Sequence, residues 1–152
     1  MTAGRFNEAI EMYESWLEGF NKNDLFTLAN LVEVYYLNEN YSKSVEIGGR
    51  IVNQKDFLNS EKRVSYALAL QKQRRLEDAR ANFEDMDGPF SNYPHRIAYS
   101  HFLIEIGEQG AALEIVAEMY SDFDRMDRNE RNQKRRLRQQ VNHLYQGFQT
   151  SN

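Results

Sequence analysis

Gly4-Arg5-Phe6-Asn7-Glu8-Ala9-Ile10-Glu11-Met12-Tyr13 recurs down the chain in weakened form. Tyr41-Ser42-Lys43-Ser44-Val45 is the second copy, Leu76-Glu77-Asp78-Ala79-Arg80-Ala81-Asn82-Phe83 the third, and Gln109-Gly110-Ala111-Ala112-Leu113 the fourth. Each copy centres on a small residue, Ala9, Ser44, Ala79 or Ala112, at intervals of 35, 35 and 33 residues. A near-constant period of this size marks stacked supersecondary units, each burying its apolar face against its neighbours.

Around the copies, apolar residues return at three- and four-residue steps, the spacing of one helix face. Ala3–Phe20 reads as a helix through Phe6, Ile10, Tyr13 and Leu17, with Glu8, Glu11, Glu14 and Glu18 between them. Asn23 or Asp24 is expected to cap Leu25–Asn38, whose inner stripe is Leu28, Leu31, Val32 and Tyr35. Ser42 is expected to cap a helix ending near Asn53. Gly48 and Gly49 lie inside it at a cost of about 1 kcal/mol each relative to alanine, and are read as the point where a neighbouring helix comes close. Ser60–Lys72 and Leu76–Met86 form a pair around Gln73-Arg74-Arg75. Asp87–Pro94 is the most loop-like stretch, and Pro94 suits the first turn of His95–Ile106. Gly107 separates that helix from Gly110–Tyr120. A last helix is read over Asp124–Phe148, polar in its first half and striped by Leu137, Val141, Leu144, Tyr145 and Phe148 in its second, before a frayed tail at Gln149–Asn152.

The 152 residues suffice for one ordinary domain, and 41% hydrophobic with 28% charged residues describe a chain that folds and stays soluble. Absence of cysteine excludes disulfides, thiolate metal sites and a cysteine nucleophile. No apolar run approaches the roughly 20 residues of a membrane span, and no signal region opens the chain, so a cytoplasmic location is the expectation. Charge is uneven. Residues 1–120 carry 12 Lys/Arg against 19 Asp/Glu, a net −7, whereas residues 121–152 carry 7 against 4, a net +3.

Chemistry-bearing patterns are sparse. His95 and His101 are six residues apart, not the three or four that share a helix face. No His-Glu-x-x-His, phosphate-cradling glycine loop or Gly-x-Ser-x-Gly elbow is present. The acids of Glu84/Asp85/Asp87 and Asp122/Asp124/Asp127 read as solvated helix ends, and the second group lacks the glycine and twelfth-position Glu of a calcium loop. Asn40-Tyr41-Ser42 matches a glycosylation triplet, a short and unspecific pattern. The expectation is a protein without catalytic residues, metal or cofactor. The basic run Arg125–Arg138, with Arg128, Arg131, Lys134, Arg135 and Arg138, is the alternative signal, since clustered cations neutralise phosphates. Its interspersed acids and few stacking aromatics favour a solvated run, or one paired with acids of its own helix or an adjacent repeat.

The spacing resembles the tetratricopeptide repeat, a helix–turn–helix unit of about 34 residues, over residues 4–120. Beside the small residues stand Tyr13, Gly48, Phe83 and Val116, four positions on. Tyr35, Leu70 and Leu103 lie nine before, and Val32, Ala67 and Ser100 three before those. Two departures are plain: the motif's terminal proline is missing throughout, and Gly48 replaces a large residue. The resemblance implies a concave surface lined by the first helices. That surface takes Phe26, Ala29, Asn30, Glu33, Tyr36 and Leu37 from one repeat, and Glu61, Val64, Ser65, Leu68, Gln71 and Lys72 from the next. Ile97, Ala98, His101, Ile104 and Glu105 come from the last. It suits an extended or helical partner peptide with apolar side chains and a basic residue near Glu33. Family members that grip chaperone C-terminal carboxylates use Lys, Arg and Asn where this chain has Ala29, Glu33, Ser65 and Leu68, so that ligand is not implied. By size and charge the chain is also similar to bacterial secretion chaperones and envelope assembly factors.

The reading is therefore an all-α, right-handed α-α superhelix (solenoid) of about three helical hairpins over residues 1–120, closed by a long C-terminal capping helix over 121–152. Its expected function is a non-catalytic protein–protein interaction scaffold binding a partner peptide in the concave groove. The alternative is a nucleic-acid-associated helical repeat using the basic C-terminal helix. The first copy has a second helix but no first helix. The expectation is a fragment of a longer protein, with envelope association as one reading of it, or self-association through Phe6, Ile10 and Tyr13.

Overall fold

The hairpin turns explain the period. In the computed structural model, which describes residues 3–88 and 92–150, the backbone enters the left-handed region at Glu39 (φ 59°), Arg74 (φ 63°) and Gly107 (φ 87°). Each lies five residues before Ser44, Ala79 or Ala112. The next N–H, from Asn40, Arg75 and Glu108, donates to the carbonyls of Tyr35, Leu70 and Leu103 at 2.9, 3.0 and 2.8 Å. This is the hydrogen bond of a Schellman stop, which satisfies a helix's last carbonyls and reverses the chain. The same turn is thus made three times, twice without the glycine that fits it best.

The described residues form ten α-helices and one short 3-10 turn, with no strand. The first is α1 (Ala3–Trp16), which stops short of Phe20. Gly19, at φ 68°, and the 3-10 turn Gly19–Asn21 lead into α2 (Leu25–Leu37). Asp24 caps α2 by accepting from the Thr27 N–H at 2.9 Å. Those hydrogen bonds hold its carboxyl below the usual carboxylate range. The cap of α3 (Tyr41–Ile51) is Asn40, accepting from the Lys43 N–H, and not Ser42. The left-handed residue at 39 places 40, not 42, at the helix mouth. An unforeseen turn, α4 (Lys55–Leu58), follows, then α5 (Lys62–Lys72) and α6 (Leu76–Met86). The later helices are α7 (Tyr93–Glu105), α8 (Gln109–Arg125), α9 (Arg128–Gln133) and α10 (Arg135–Thr150). Pro94 sits in the first turn of α7, as its missing N–H allows. Of the expected loop and tail, Pro89, Phe90, Ser91, Ser151 and Asn152 lie outside the described residues.

Two compact units divide the chain, residues 1–85 and 86–152. In the first, α2 packs on α1, α3 and α5, and α3 also packs on α5. Val32 and Ala67 are wholly buried, as are Ser44 and Ala79; Tyr35 and Leu70 are buried beside them. The Ser44 hydroxyl donates to the Val32 carbonyl at 2.8 Å, which lets a polar residue hold a core position. Gly48 lies against the Tyr66 ring. A Cβ there would stand 2.2 Å from Tyr66 Cδ2, so the close approach expected of Gly48 is real, while one at Gly49 would meet only the Tyr66 hydroxyl at 4.0 Å. Phe57 of α4 is fully buried and meets Tyr66 edge-on at 6.4 Å.

In the second unit α7 and α8 pack together and α10 lies mainly on α8. Tyr93, Ile97, Val116, Met119, Phe123 and Val141 form its core, with Leu137, Leu144, Tyr145 and Phe148 packed against it. The single helix expected over Asp124–Phe148 is broken. The apolar stripe of Val116, Met119 and Phe123 carries α8 past Tyr120 to Arg125, and Met126 is extended. Asp127 then accepts from the N–H groups of Asn129 (2.7 Å) and Glu130 (2.9 Å) and starts α9; a second break at Lys134 precedes α10.

A buried arginine recurs in both units. Arg63 on α5 donates to Asn82 at 3.1 Å and pairs with Asp85 at 2.6 Å, both on α6. Arg96 on α7 pairs with Asp87 at 2.7 Å and with Glu118 on α8 at 2.6 Å. The two arginines are 33 residues apart, and Asp85 and Glu118 each lie six after the small residue of their own repeat. Burial alone would lower the pKa of the Arg96 guanidinium. Its bonds to Glu118 and Asp87 outweigh that and raise it.

Candidate protein-interaction surface

Seven large apolar side chains are markedly exposed among the described residues, and four of them, Met12, Trp16, Phe20 and Phe26, crowd into 15 residues. The crowding follows from helix phase. On α1 the inner stripe of Phe6, Ile10 and Tyr13 turns toward α2, where Glu14 accepts from the Tyr35 hydroxyl and Asn7 bonds Asn38 at 3.2 Å. Met12 and Trp16 lie beside that stripe, and their exposures of 60% and 59% show them uncovered. Phe26, at the start of α2, is 75% exposed.

Between them lies a cleft of about 690 Å³ lined by Met12, Tyr13, Ser15, Trp16, Asp24, Phe26 and Thr27. A second cleft of about 300 Å³, lined by Leu25, Phe26, Ala29, Asp56, Phe57 and Ser60, opens on the other side of Phe26. The Phe26 ring is thus a ridge between two hollows, all within the first unit.

This corrects the expected self-association face. Ile10 is buried and Phe6 and Tyr13 are half-buried. α1 packs on α2, which takes up this face.

The expected groove residues scatter in environment. Phe26 and Leu37 on α2 are exposed, and Asn30, Glu33 and Tyr36 are half-buried, as are Val64 and Leu68 on α5; Glu61, just before α5, is exposed. Gln71 is buried, and Ile97 belongs to the second unit's core, so neither offers a surface. Glu33 is already paired with Lys62 across α2 and α5, which occupies the acid expected to meet a basic ligand residue. Tyr36 packs on Tyr41 with ring centres 5.8 Å apart. On α7, His101 and Glu105 are exposed, and Ile104 lines a cleft of about 240 Å³ with Gln109, His143, Leu144, Gly147 and Phe148.

The basic segment is open. Arg128 and Arg135 are exposed, and Arg131, Lys134 and Arg138 half-buried. Among the described residues none of them meets an acid within ion-pair distance, which agrees with the solvated one of the two expected readings. Asp127, the nearest acid in sequence to Arg128, is engaged as the cap of α9. No helix among the described residues is long and apolar enough to cross a membrane.

No known protein family, curated protein or solved structure matches the chain. Met12, Trp16 and Phe20 were missed by the sequence reading because it followed the inner stripe. The available signal was a second apolar phase on the same helix, a Met and a Trp four residues apart outside the buried face.

Proposed function

We propose that the chain is a non-catalytic protein-interaction module built from helical hairpins of tetratricopeptide type, docking a segment of a partner protein on the α1–α2 edge of its first unit. The observation that carries this is the set of exposed Met12, Trp16 and Phe26 around a preformed cleft of about 690 Å³. Contiguous exposed apolar surface costs solubility and marks interaction sites, and buried aromatic anchors dominate interface energy. The three equivalent hairpin turns and the burial of Val32, Ala67 and Ser100 at matched positions support the repeat reading. The test is site-specific photocrosslinking in cells that express the chain. A photoreactive phenylalanine at position 16 or 26 is expected to trap one discrete protein that the same probe at exposed Glu114 does not. Equal labelling from all three positions would refute the proposal.

The open cations of Arg128–Arg138 favour a second reading, binding to nucleic acid through α9 and the start of α10. That binding would weaken steeply with salt and vanish when Arg131, Arg135 and Arg138 become Glu.

A further inference from the structure

The α1–α2 cleft lies in an acidic stretch of the chain. Residues 4–24 carry Glu8, Glu11, Glu14, Glu18 and Asp24 against Arg5 and Lys22. Glu14 is engaged by the Tyr35 hydroxyl on the buried side. Glu8 lies four residues and Glu11 one residue before Met12 on α1, and both are exposed. Asp24 lines the cleft itself, and its cap bonds favour the ionised form. An apolar floor with Asp24 on its lining and exposed acids on α1 fits an occupant with the inverse pattern, an apolar stripe flanked by cations. A helix carries such a stripe most economically, seating residues of one face between Trp16 and Phe26 while its Lys or Arg side chains reach the rim.

We infer that the cleft between α1 and α2 receives a cationic amphipathic helix of a partner protein, its apolar face on Met12, Trp16 and Phe26 and its basic flanks against Glu8, Glu11 and Asp24. The inference rests on the interaction-module reading and names the chemistry of the partner. A second copy of this chain is the weaker occupant. Its one strongly basic helical region is α9–α10, and the apolar residues Leu137, Leu144, Tyr145 and Phe148 of α10 are already used against its own core.

The cleft holds the chain's single tryptophan, so its emission reports occupancy directly. The experiment titrates the full chain with three synthetic helical peptides sharing one leucine stripe (i, i+3, i+4, i+7) and flanked by Lys, Glu or Ser. The Lys/Leu peptide is expected to blue-shift Trp16 emission and to bind about tenfold or more tightly than the Glu/Leu peptide at low salt, the gap closing as salt screens the rim. Met12→Ser with Phe26→Ser removes the floor and abolishes the shift. Glu8→Lys with Glu11→Lys reverses the preference toward the Glu/Leu peptide, and its unchanged circular dichroism shows the fold retained. Equal binding of all three peptides with a Trp16 shift would overturn the cationic partner and leave the docking cleft standing. No Trp16 shift with any peptide would overturn both. A blue shift that grows with protein concentration alone would assign the cleft to a second copy and overturn the inference.

Discussion

Replacing Gly48 and Gly49 separately by alanine should move stability in opposite directions. Both lie inside α3, where Gly→Ala gains about 1 kcal/mol of helix propensity. At Gly49 the new methyl meets only the Tyr66 hydroxyl at 4.0 Å, so that gain should appear nearly whole. At Gly48 the methyl would stand 2.2, 2.8 and 2.9 Å from Cδ2, Cε2 and Cγ of Tyr66. Those are ring atoms near the backbone, and Tyr66 is itself buried against Phe57, so the ring cannot swing clear. Overpacking of this kind costs about 1–3 kcal/mol. With the upper end of that range, Gly48→Ala should lose about 2 kcal/mol net, some 3 kcal/mol below Gly49→Ala. Tyr66→Ala alone should cost about 3–5 kcal/mol through its cavity. In that background Gly48→Ala should cost nothing, a coupling that a double-mutant cycle reads directly. Urea unfolding followed by Trp16 fluorescence and helical circular dichroism gives the four free energies. Gly48→Ala as stable as Gly49→Ala, or an additive cycle, would refute the close approach of α5 to α3.

Three further outcomes follow from the same geometry. Arg74→Gly should raise stability by about 1 kcal/mol, because a left-handed backbone costs a side-chain-bearing residue about that much, and Gly107→Ala should lose a similar amount; thermal unfolding of each checks the pair. Asp87→Asn with Glu118→Gln leaves the buried Arg96 guanidinium without a counter-charge and should cost about 3 kcal/mol, whereas Glu118→Gln alone should cost less since Asp87 remains; a double variant as stable as the parent chain would show the pairs to be incidental. Burial pushes the Tyr35 hydroxyl pKa up, and the hydrogen bond to Glu14 adds to it; burial does the same to Tyr66 and Tyr93. A raised folded-state pKa gives stability that is complete below about pH 10, where unfolded tyrosine is neutral, and lost as pH rises further. Urea midpoints at pH 8 and pH 11 should therefore diverge, and less so for Tyr35→Phe.

Much of this was written in local order. The 35 and 33-residue spacing of Ser44, Ala79 and Ala112 located the three equivalent turns at Glu39, Arg74 and Gly107, because a small residue suits a place where two helices cross closely. Helix phase then identified Leu28, Leu31, Val32 and Tyr35 as core before any contact was visible, and Asp24 as a cap. Cap competition was less legible. Whether Ser42 or Asn40 opens α3, and whether Asp127 interrupts the last helix, depends on where the preceding chain stops, and that is set by a left-handed residue or a packed Met126 elsewhere. Phe57 is only one buried ring on a single turn, too short for any period to register.

The candidate site divides in the same way. Sequence alone determined which residues could face inward on each helix, since 3.6 residues per turn fixes the angle between side chains irrespective of neighbours. It determined the acidic α1 and the basic stretch after Asp124 as well, since charge follows from composition alone. Tertiary structure alone decided which faces found a partner. It turned the stripe of Phe6, Ile10 and Tyr13 against α2, spent Glu33 on Lys62 and Ile97 on a core, and left Met12, Trp16 and Phe26 around an open cleft. Exposure is a property of what else comes near, and the approach of one helix to another is fixed by the whole set of packed side chains rather than by either helix's own sequence.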